Sequence, residues 1–209
     1  LAGARLFGSI CGVRITGGKA VRRILKVPKG GAVRPTSDLV KQAVFNSLGA
    51  RVAGAHVLEL FAGTGALSLD CLSRGAAAAV CVEKSGKHAE CIRENARIAG
   101  LPLDALEVRV QDVFRAIAQL AEAGKQFDLI LADPPYGEKN IGHRSTSLAQ
   151  RLLDDPNLPK LLTDDGRFVL GHARRDVLAV PAHWTEVKAL KHGDSVMLFL
   201  RRAQGLANL

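Results

Sequence analysis

The sequence predicts an α/β fold: a mostly parallel sheet of seven strands with helices on both faces, ending in an antiparallel C-terminal hairpin and preceded by a small N-terminal β-hairpin extension. Three observations carry that expectation. From residue 56 onward short apolar runs alternate with amphipathic stretches, the pattern that parallel strands joined by crossovers produce. The last two apolar runs flank His192-Gly193-Asp194, a tight-turn signal. The first 37 residues hold 8 basic and no acidic side chains, which sets them apart from the rest of the chain.

Taken in order, residues 5–15 and 19–27 mix β-branched and basic side chains around Thr16-Gly17-Gly18, which reads as a hairpin with its basic side chains exposed. Lys29-Gly30-Gly31 reads as a loop. A helix starts near Thr36-Ser37-Asp38, where a hydroxyl can cap it, and Leu39, Val40, Ala43, Val44, Phe45 and Leu48 give it an apolar face. Buried strands are expected at 57–61, 78–82, 106–110, 127–132 and 167–170, and helices at 64–74, 85–99, 112–123 and 144–155. Strands at 184–190 and 195–201 form the final hairpin. The domain expectation is a basic extension over 1–34 and one compact domain over 35–209.

Composition narrows the class. With 47% hydrophobic and 23% charged residues the chain reads as ordinary globular protein. No run has the length of a membrane span, and the first residues lack a secretory apolar core, so a cytoplasmic location is expected. Cys11, Cys71, Cys81 and Cys91 are scattered without ligand spacing, so no metal site or disulfide is expected. The net charge of +9 is concentrated at the N-terminus, since residues 38–209 hold 21 basic and 20 acidic side chains. A charge excess confined to one segment suits a polyanion, and it also suits a solvated basic tail.

Two constellations carry chemistry. In Val57-Leu58-Glu59-Leu60-Phe61-Ala62-Gly63-Thr64-Gly65 an apolar strand runs into G-x-G and then a helix, so a ligand can approach backbone where Cβ atoms are missing. G-x-G alone can also be a tight turn. Glu83 ends the next strand, where a carboxylate can accept ribose hydroxyls, and Asp112 follows the third, where it can receive an adenine amino group. Either acid alone would be a solvated strand end; together with the glycine turn they describe an adenosine site. The second constellation is Asp133-Pro134-Pro135-Tyr136 after the fourth strand. Two prolines make the turn rigid. The lone pair of an amino group on a nucleobase is delocalised into the ring. A carboxylate and a carbonyl accepting its two hydrogens would favour pyramidal nitrogen, while the Tyr136 ring stacks on the base.

These residues resemble the class I S-adenosylmethionine-dependent methyltransferases, which are Rossmann-like, and within them the 16S ribosomal RNA guanine-(N2)-methyltransferase D family. The resemblance runs from Arg14-Ile15-Thr16-Gly17-Gly18 through Arg34-Pro35-Thr36-Ser37-Asp38, Phe45-Asn46 and Leu60–Leu67 to Leu72-Ser73-Arg74-Gly75-Ala76 and Asp133–Tyr136. It implies S-adenosylmethionine as cofactor, with Phe61, Gly63 and Gly65 in its loop and Glu59 in support. Glu83 would hold the ribose, Asp112 and the Val113 backbone the adenine, and Thr36 would lie near the methionine end. Asp133, Pro134 and Tyr136 would hold the base, making them the catalytic set. Arg14, Lys19, Arg22, Arg23, Lys26 and Arg34 are the candidate RNA contacts. The partner implied is ribosomal RNA or a small-subunit assembly intermediate, met by a monomer without membrane or metal. Glu59, Gly171 and His192 depart from the residues commonest in the family, and Gly137–Ser147 is longer than usual.

The alternatives are an amino-methyltransferase acting on another RNA or on DNA, a protein glutamine methyltransferase, and a non-catalytic RNA-binding assembly factor on the same fold. DNA enzymes of this chemistry usually carry a recognition domain for which the chain has no room, and glutamine methyltransferases usually have Asn where Asp133 stands. A non-catalytic factor would be expected to have degraded motifs. An NAD oxidoreductase would need a hydride-transfer acid or base, which the sequence does not supply.

Overall fold

The computed structural model describes residues 13–28, 36–137, 139–140 and 143–203. Strands β1 (His56–Leu60), β2 (Ala78–Glu83), β3 (Leu106–Val110), β4 (Phe127–Ala132), β5 (Leu162–Ala173), β6 (Trp184–His192) and β7 (Ser195–Arg202) form one sheet in the order β3-β2-β1-β4-β5-β7-β6. The first five strands are parallel; β7 pairs antiparallel with both β5 and β6. The helices are α1 (Asp38–Leu48), α2 (Ala66–Ser73), α3 (Gly86–Ala99), α4 (Val113–Glu122) and α5 (Leu148–Asp154). No described helix is long and apolar enough to cross a membrane.

Strand periodicity divides the core into two layers. Val57, Leu129, Leu131, Val169 and Phe199 face a cluster that includes Val44 and Phe45 of α1 and Leu69 and Leu72 of α2. Their alternates Leu58, Leu60, Ile130, Phe168, Leu170 and Leu198 face Ile117 and Leu120 of α4 and Leu152 and Leu153 of α5. Successive side chains of a strand point to opposite faces, so runs apolar at every position demand cover on both. Each such side chain contributes about 1.5–3 kcal/mol on burial.

Element limits differ locally from the sequence expectation. α2 begins at Ala66 rather than 64 because Gly65, with φ of 74°, is its left-handed N-cap. α5 begins at Leu148 rather than 144, after Ser147 accepts from the Gln150 N–H. β5 begins at Leu162, ahead of the expected 167.

The N-terminal β-hairpin is a correction. Among the described residues the segment makes a single antiparallel bridge, Arg14 with Ile24, and no two-stranded ladder; residues 1–12 lie outside the described set. The N–H groups of Ile15, Arg22 and Leu25 pair across the segment with the carbonyls of Arg23, Ile15 and Val13, but the donors around its glycine pair go to α2. Asp70 accepts from the Thr16 N–H at 2.9 Å and the Gly17 N–H at 3.2 Å. The Ser73 carbonyl accepts from Lys19 at 2.8 Å, and its hydroxyl accepts from the Ala20 N–H at 2.9 Å. A Cβ on Gly18 would overlap the Ser73 backbone. The Gly-Gly pair therefore serves close approach to a helix, not a hairpin turn. Beneath it Lys41, fully buried, donates to the Arg14 carbonyl and pairs with Asp70 at 3.3 Å. Val13, Ile15, Ala20 and Leu25 join the α1–α2 core layer.

Candidate active site

The carboxyl ends of β1, β2 and β4 converge, because these strands are neighbours in the sheet. After β1 the chain turns sharply: Phe61 has φ of 57°, Gly63 of 54° and Gly65 of 74°. For Phe61 that left-handed conformation is strained, a feature that clusters at functional sites. The Phe61 ring meets Phe114 of α4 edge-on at 6.4 Å. Gly65 cannot carry a side chain, since a Cβ would come within 2.9 Å of Ile92.

Three acids hold this side in shape. Glu59 is 3% exposed, and its Oε2 accepts from the Ser68 N–H at 2.9 Å, tying β1 to the start of α2. Burial pushes its carboxyl from 4.5 to about 7, against the pull of hydrogen bonds from Ser68 and Leu67. Glu83 accepts from the Gly63 N–H through Oε2 and from the Ser85 N–H through Oε1, both at 2.8 Å. His88 Nδ1 stands 3.6 Å from Oε1. Asp112 is the N-cap of α4, its Oδ1 accepting from Phe114 and Arg115, with Val113 buried as the first helical residue. A carboxylate has about four acceptor sites, so Glu83 and Asp112 keep capacity for ribose hydroxyls and an adenine amino group. The residues present fit an adenosine ligand.

The target side is built differently. Thr36, just before α1, donates its hydroxyl to Asp133 Oδ2 across 97 positions of sequence. Asp133 Oδ1 is buried with no hydrogen-bond partner among the described residues. Burial raises the Asp133 carboxyl above 3.8, and the Thr36 hydrogen bond partly offsets this. Pro134 is buried while Pro135 and Tyr136 are exposed. The Tyr136 hydroxyl donates to Ser195 Oγ at 2.8 Å, fixing the ring against β7. Gly171 lies within β5 beside Asp133, and its Cβ would approach Asp133 Cγ to 3.0 Å and Oδ1 more closely still. In this chain, glycine at 171 leaves room for the carboxylate.

The structure thus brings Thr36, Asp133, Pro134 and Tyr136 together, with Phe61, Gly63, Gly65, Glu59 and Glu83 at the adjoining strand ends and Asp112 at the next. The basic residues are more dispersed. Arg14 pairs with Asp38 at 2.6 Å, and Lys26 pairs with Glu94. Lys19, Arg22 and Arg23 are exposed without ion pairs among the described residues. Lys19 sits near the carboxyl end of α2, at the far end of the sheet from Asp133. Arg34 lies outside the described residues. Two concavities of about 320 Å³ each open at the amino-terminal ends of the strands, one by Arg51, Asp128 and Thr163 and one by His56, Glu107 and Phe127. Neither holds a predicted site residue, and neither groups catalytic side chains.

Sequence reasoning missed Asp70, Lys41, Ser195 and Asp176, and gave Gly171 no role beyond its departure from the family. Asp70 was the most visible: a lone acid inside the apolar helix Ala66-Leu67-Ser68-Leu69-Asp70-Cys71-Leu72 needs buried donors. The others owe their roles to neighbours distant in sequence, and no local pattern marks them.

The family described as Conserved hypothetical protein 95 matches residues 13–201. Ribosomal RNA small subunit methyltransferase D of Escherichia coli K12 is 31% identical over 195 residues, covering 92% of this chain and 92% of that protein. The solved structure of a hypothetical protein from Thermus thermophilus superposes with a TM-score of 0.74 at 27% identity, covering 91% of this chain and 99% of the other. The solved structure of a putative methyltransferase from Escherichia coli superposes with a TM-score of 0.72 at 27% identity, covering 91% of this chain and 97% of the other, and the sheet order and antiparallel C-terminal strands are those of the class I methyltransferase fold.

Proposed function

The chain belongs to the family described as Conserved hypothetical protein 95, alongside ribosomal RNA small subunit methyltransferase D; from that premise we propose that it transfers a methyl group from S-adenosylmethionine to the exocyclic amino group of a guanine in small-subunit (16S) ribosomal RNA. The observation that carries this reading is the Asp133–Tyr136 turn: a rigid loop with a buried carboxylate oxygen that has no partner among the described residues, next to the Gly63–Glu83 turn.

When bound, S-adenosylmethionine would supply an electrophilic methyl group, its S–CH3 bond breaking with the electron pair kept on sulfur so that the sulfonium leaves as a neutral thioether. The protein's part is to present the nitrogen lone pair. Asp133 Oδ1 accepts one amino hydrogen and the Pro134 carbonyl the other, while the Tyr136 ring, tethered through Ser195, stacks on the base. As the methyl transfers, the nitrogen becomes cationic and its extra proton passes to Asp133, which burial makes a better base than a solvated aspartate. Thr36 holds the other carboxylate oxygen, so the acceptor cannot rotate away. Gly63, Gly65, Phe61, Glu59, Glu83, Asp112 and Val113 bind and shape the adenosine end. Residues 1–34 contribute phosphate contacts, and residues 35–209 form the methyl-transfer unit.

The test is methyl transfer from labelled S-adenosylmethionine to unmodified small-subunit ribosomal RNA and to assembly intermediates, followed by nucleoside mapping. The expected product is N2-methylguanosine. Asp133→Ala should lower turnover by about 10²–10³-fold, as for loss of one preorganised hydrogen-bonding group, while cofactor affinity changes far less. Activity should fall as pH drops through the raised Asp133 pKa, because the protonated acid no longer accepts. Near-normal turnover in this variant, or methylation at a ring nitrogen or ribose, would overturn the reading.

A further inference from the structure

Beyond β5 the chain makes a turn that none of the roles above uses. It begins where β5 passes the catalytic carboxylate: Ala132 pairs with Leu170, so Gly171 stands beside Asp133, and the strand continues to Ala173. At about 3.3 Å per residue, Arg174 lies on the order of 10 Å along from Gly171. Ala173 pairs with Ser195, the residue that anchors the Tyr136 hydroxyl.

The turn is hydrogen-bonded to the β6–β7 connection, within itself, and through Asn140 to the stretch that follows Tyr136. The Arg174 N–H donates to the Asp194 carbonyl at 2.7 Å, and the Asp176 N–H to the Ala173 carbonyl at 2.9 Å. His172 Nδ1 lies 3.0 Å from the Ala173 carbonyl and 3.1 Å from that of Asp176. Asn140 brackets the far end: its amide donates to the Val177 carbonyl at 3.0 Å and accepts from the Val177 N–H at 2.9 Å. The Asp176 side chain is 1% exposed and turned beneath the loop, where a Cβ on Gly137 would come within 2.8 Å of its Oδ2.

With Asp176 turned inward, the outer surface of the turn is cationic. Arg174 and Arg175 are both exposed, as is Lys139 next to the bracketing Asn140, and none of the three has an ion pair among the described residues. Asp194, the exposed acid that the backbone brings to the turn, meets it through its carbonyl. The N-terminal basic segment packs on α2 and α3, beside β1 and β2, while this turn continues from β5 next to β7. The sheet order puts β4, and so Asp133, between them.

We propose that the Arg174–Val177 turn, with Arg174, Arg175 and the neighbouring Lys139, is a second phosphate-contact site for the RNA strand that carries the target base, gripping it on the far side of the catalytic loop from the N-terminal segment. The inference rests on the proposed RNA substrate. Guanidinium groups suit phosphate oxygens through their planar fork of donors. Because the turn is hydrogen-bonded to the loop bearing Tyr136, a phosphate held there fixes the approach of the strand to Asp133 as well as adding affinity.

The experiment measures binding of unmodified small-subunit ribosomal RNA across a salt series, beside calorimetric binding of S-adenosylmethionine, for the full chain. Arg174→Ala/Arg175→Ala should raise the RNA dissociation constant and flatten the salt slope by about 1.4–1.8, two contacts at 0.7–0.9 each. Cofactor affinity should stay unchanged, which also reports that the variant is folded. Arg174→Lys/Arg175→Lys should retain the wild-type slope. Lys125→Ala/Lys160→Ala, an equal charge change at exposed positions, should leave the slope unchanged. If the Arg174/Arg175 alanine variant binds like wild type while Arg22→Glu/Arg23→Glu binds weakly, this site is wrong and the proposed function stands. An equal loss in the Lys125/Lys160 control would also overturn it, since net charge alone would then account for the effect. A wild-type chain that neither binds the RNA nor methylates it would overturn both.

Discussion

The two halves of the candidate site treat their carboxylates in opposite ways. On the cofactor side Glu59, Glu83 and Asp112 each accept at least one backbone N–H from a neighbouring turn or helix start. On the target side Asp133 Oδ1 and both carboxylate oxygens of Asp176 are buried with no hydrogen-bond partner among the described residues. A satisfied buried carboxylate stabilises its surroundings, whereas an unsatisfied polar atom costs about 1–3 kcal/mol. The cofactor side is therefore shaped by its own hydrogen bonds. The target side is held by packing, by Thr36 and by the room Gly171 leaves, and keeps an acceptor in reserve. Damage to the first half should appear as lost stability, and damage to the second as lost rate.

After removal of Asp133 itself, the largest effect should come from crowding the reserved acceptor. In Gly171→Ala the new methyl would compete with Asp133 Oδ1 for the same space, in an extended strand where alanine is otherwise acceptable. A displacement of about 1 Å at a reacting group costs on the order of 100-fold in rate. We expect that loss in single-turnover methyl transfer, with S-adenosylmethionine affinity retained. If cofactor binding fell while the chemical step survived, the division between the halves would be wrong.

A middle-sized effect should come from Glu59, on the stability side. Its folded pKa of about 7 lies above the ordinary 4.5, so the native state binds more protons between those values. The contribution of this group is therefore fully present below pH 4.5, declines as pH rises to about 7 and is flat beyond. The full shift is worth about 3 kcal/mol at most. Glu59→Gln keeps an oxygen for the Ser68 N–H and removes the titration. Denaturant midpoints for wild type should decline between pH 5 and 7, and the variant should lose the Glu59-dependent part of that decline. Identical pH profiles for the two proteins would mean that Glu59 is not desolvated as its burial implies.

What the sequence could reveal follows the same division. The glycine turn, Glu83, Asp112 and Asp133-Pro134-Pro135-Tyr136 are legible because each occupies consecutive residues at a strand end, where chain direction alone aims them at one edge. The parallel strands are legible because burial on both faces leaves continuous apolar runs such as Phe127–Ala132. Thr36 reaching Asp133, Gly171 yielding to it and Asp176 lying under Gly137 join residues far apart in sequence, so they depend on register that local periodicity does not encode. The N-terminal segment was misread for a related reason. Thr16-Gly17-Gly18 has the chemistry of a hairpin turn, but its own donors, with those of Lys19 and Ala20, go to the Asp70 carboxylate and the Ser73 carbonyl and hydroxyl of α2, so the cross-segment pairing of Ile15, Arg22 and Leu25 stops at a single bridge.

The smallest effect tests whether that segment serves the target side while sparing the cofactor side. Arg22 is exposed and has φ of 69°, a left-handed conformation that costs a side-chain-bearing residue about 1 kcal/mol or more. It is held there because its N–H donates to the Ile15 carbonyl at 2.9 Å, closing the turn that rests on α2. Glycine adopts this conformation freely but has more freedom to lose on folding, so Arg22→Gly should leave stability unchanged or raise it by less than about 1 kcal/mol. The same substitution deletes a cation with no ion-pair partner among the described residues. Removing one phosphate contact should flatten the salt slope of RNA binding by about 0.7–0.9. Lys26, already paired with Glu94, should give a smaller change when replaced by alanine. Because Arg22→Gly should not weaken the fold, weaker RNA binding in it has to come from the lost charge. An unchanged slope beside an unchanged or raised melting temperature would reduce the segment to a packing element. The basic grip on RNA would then rest on other side chains.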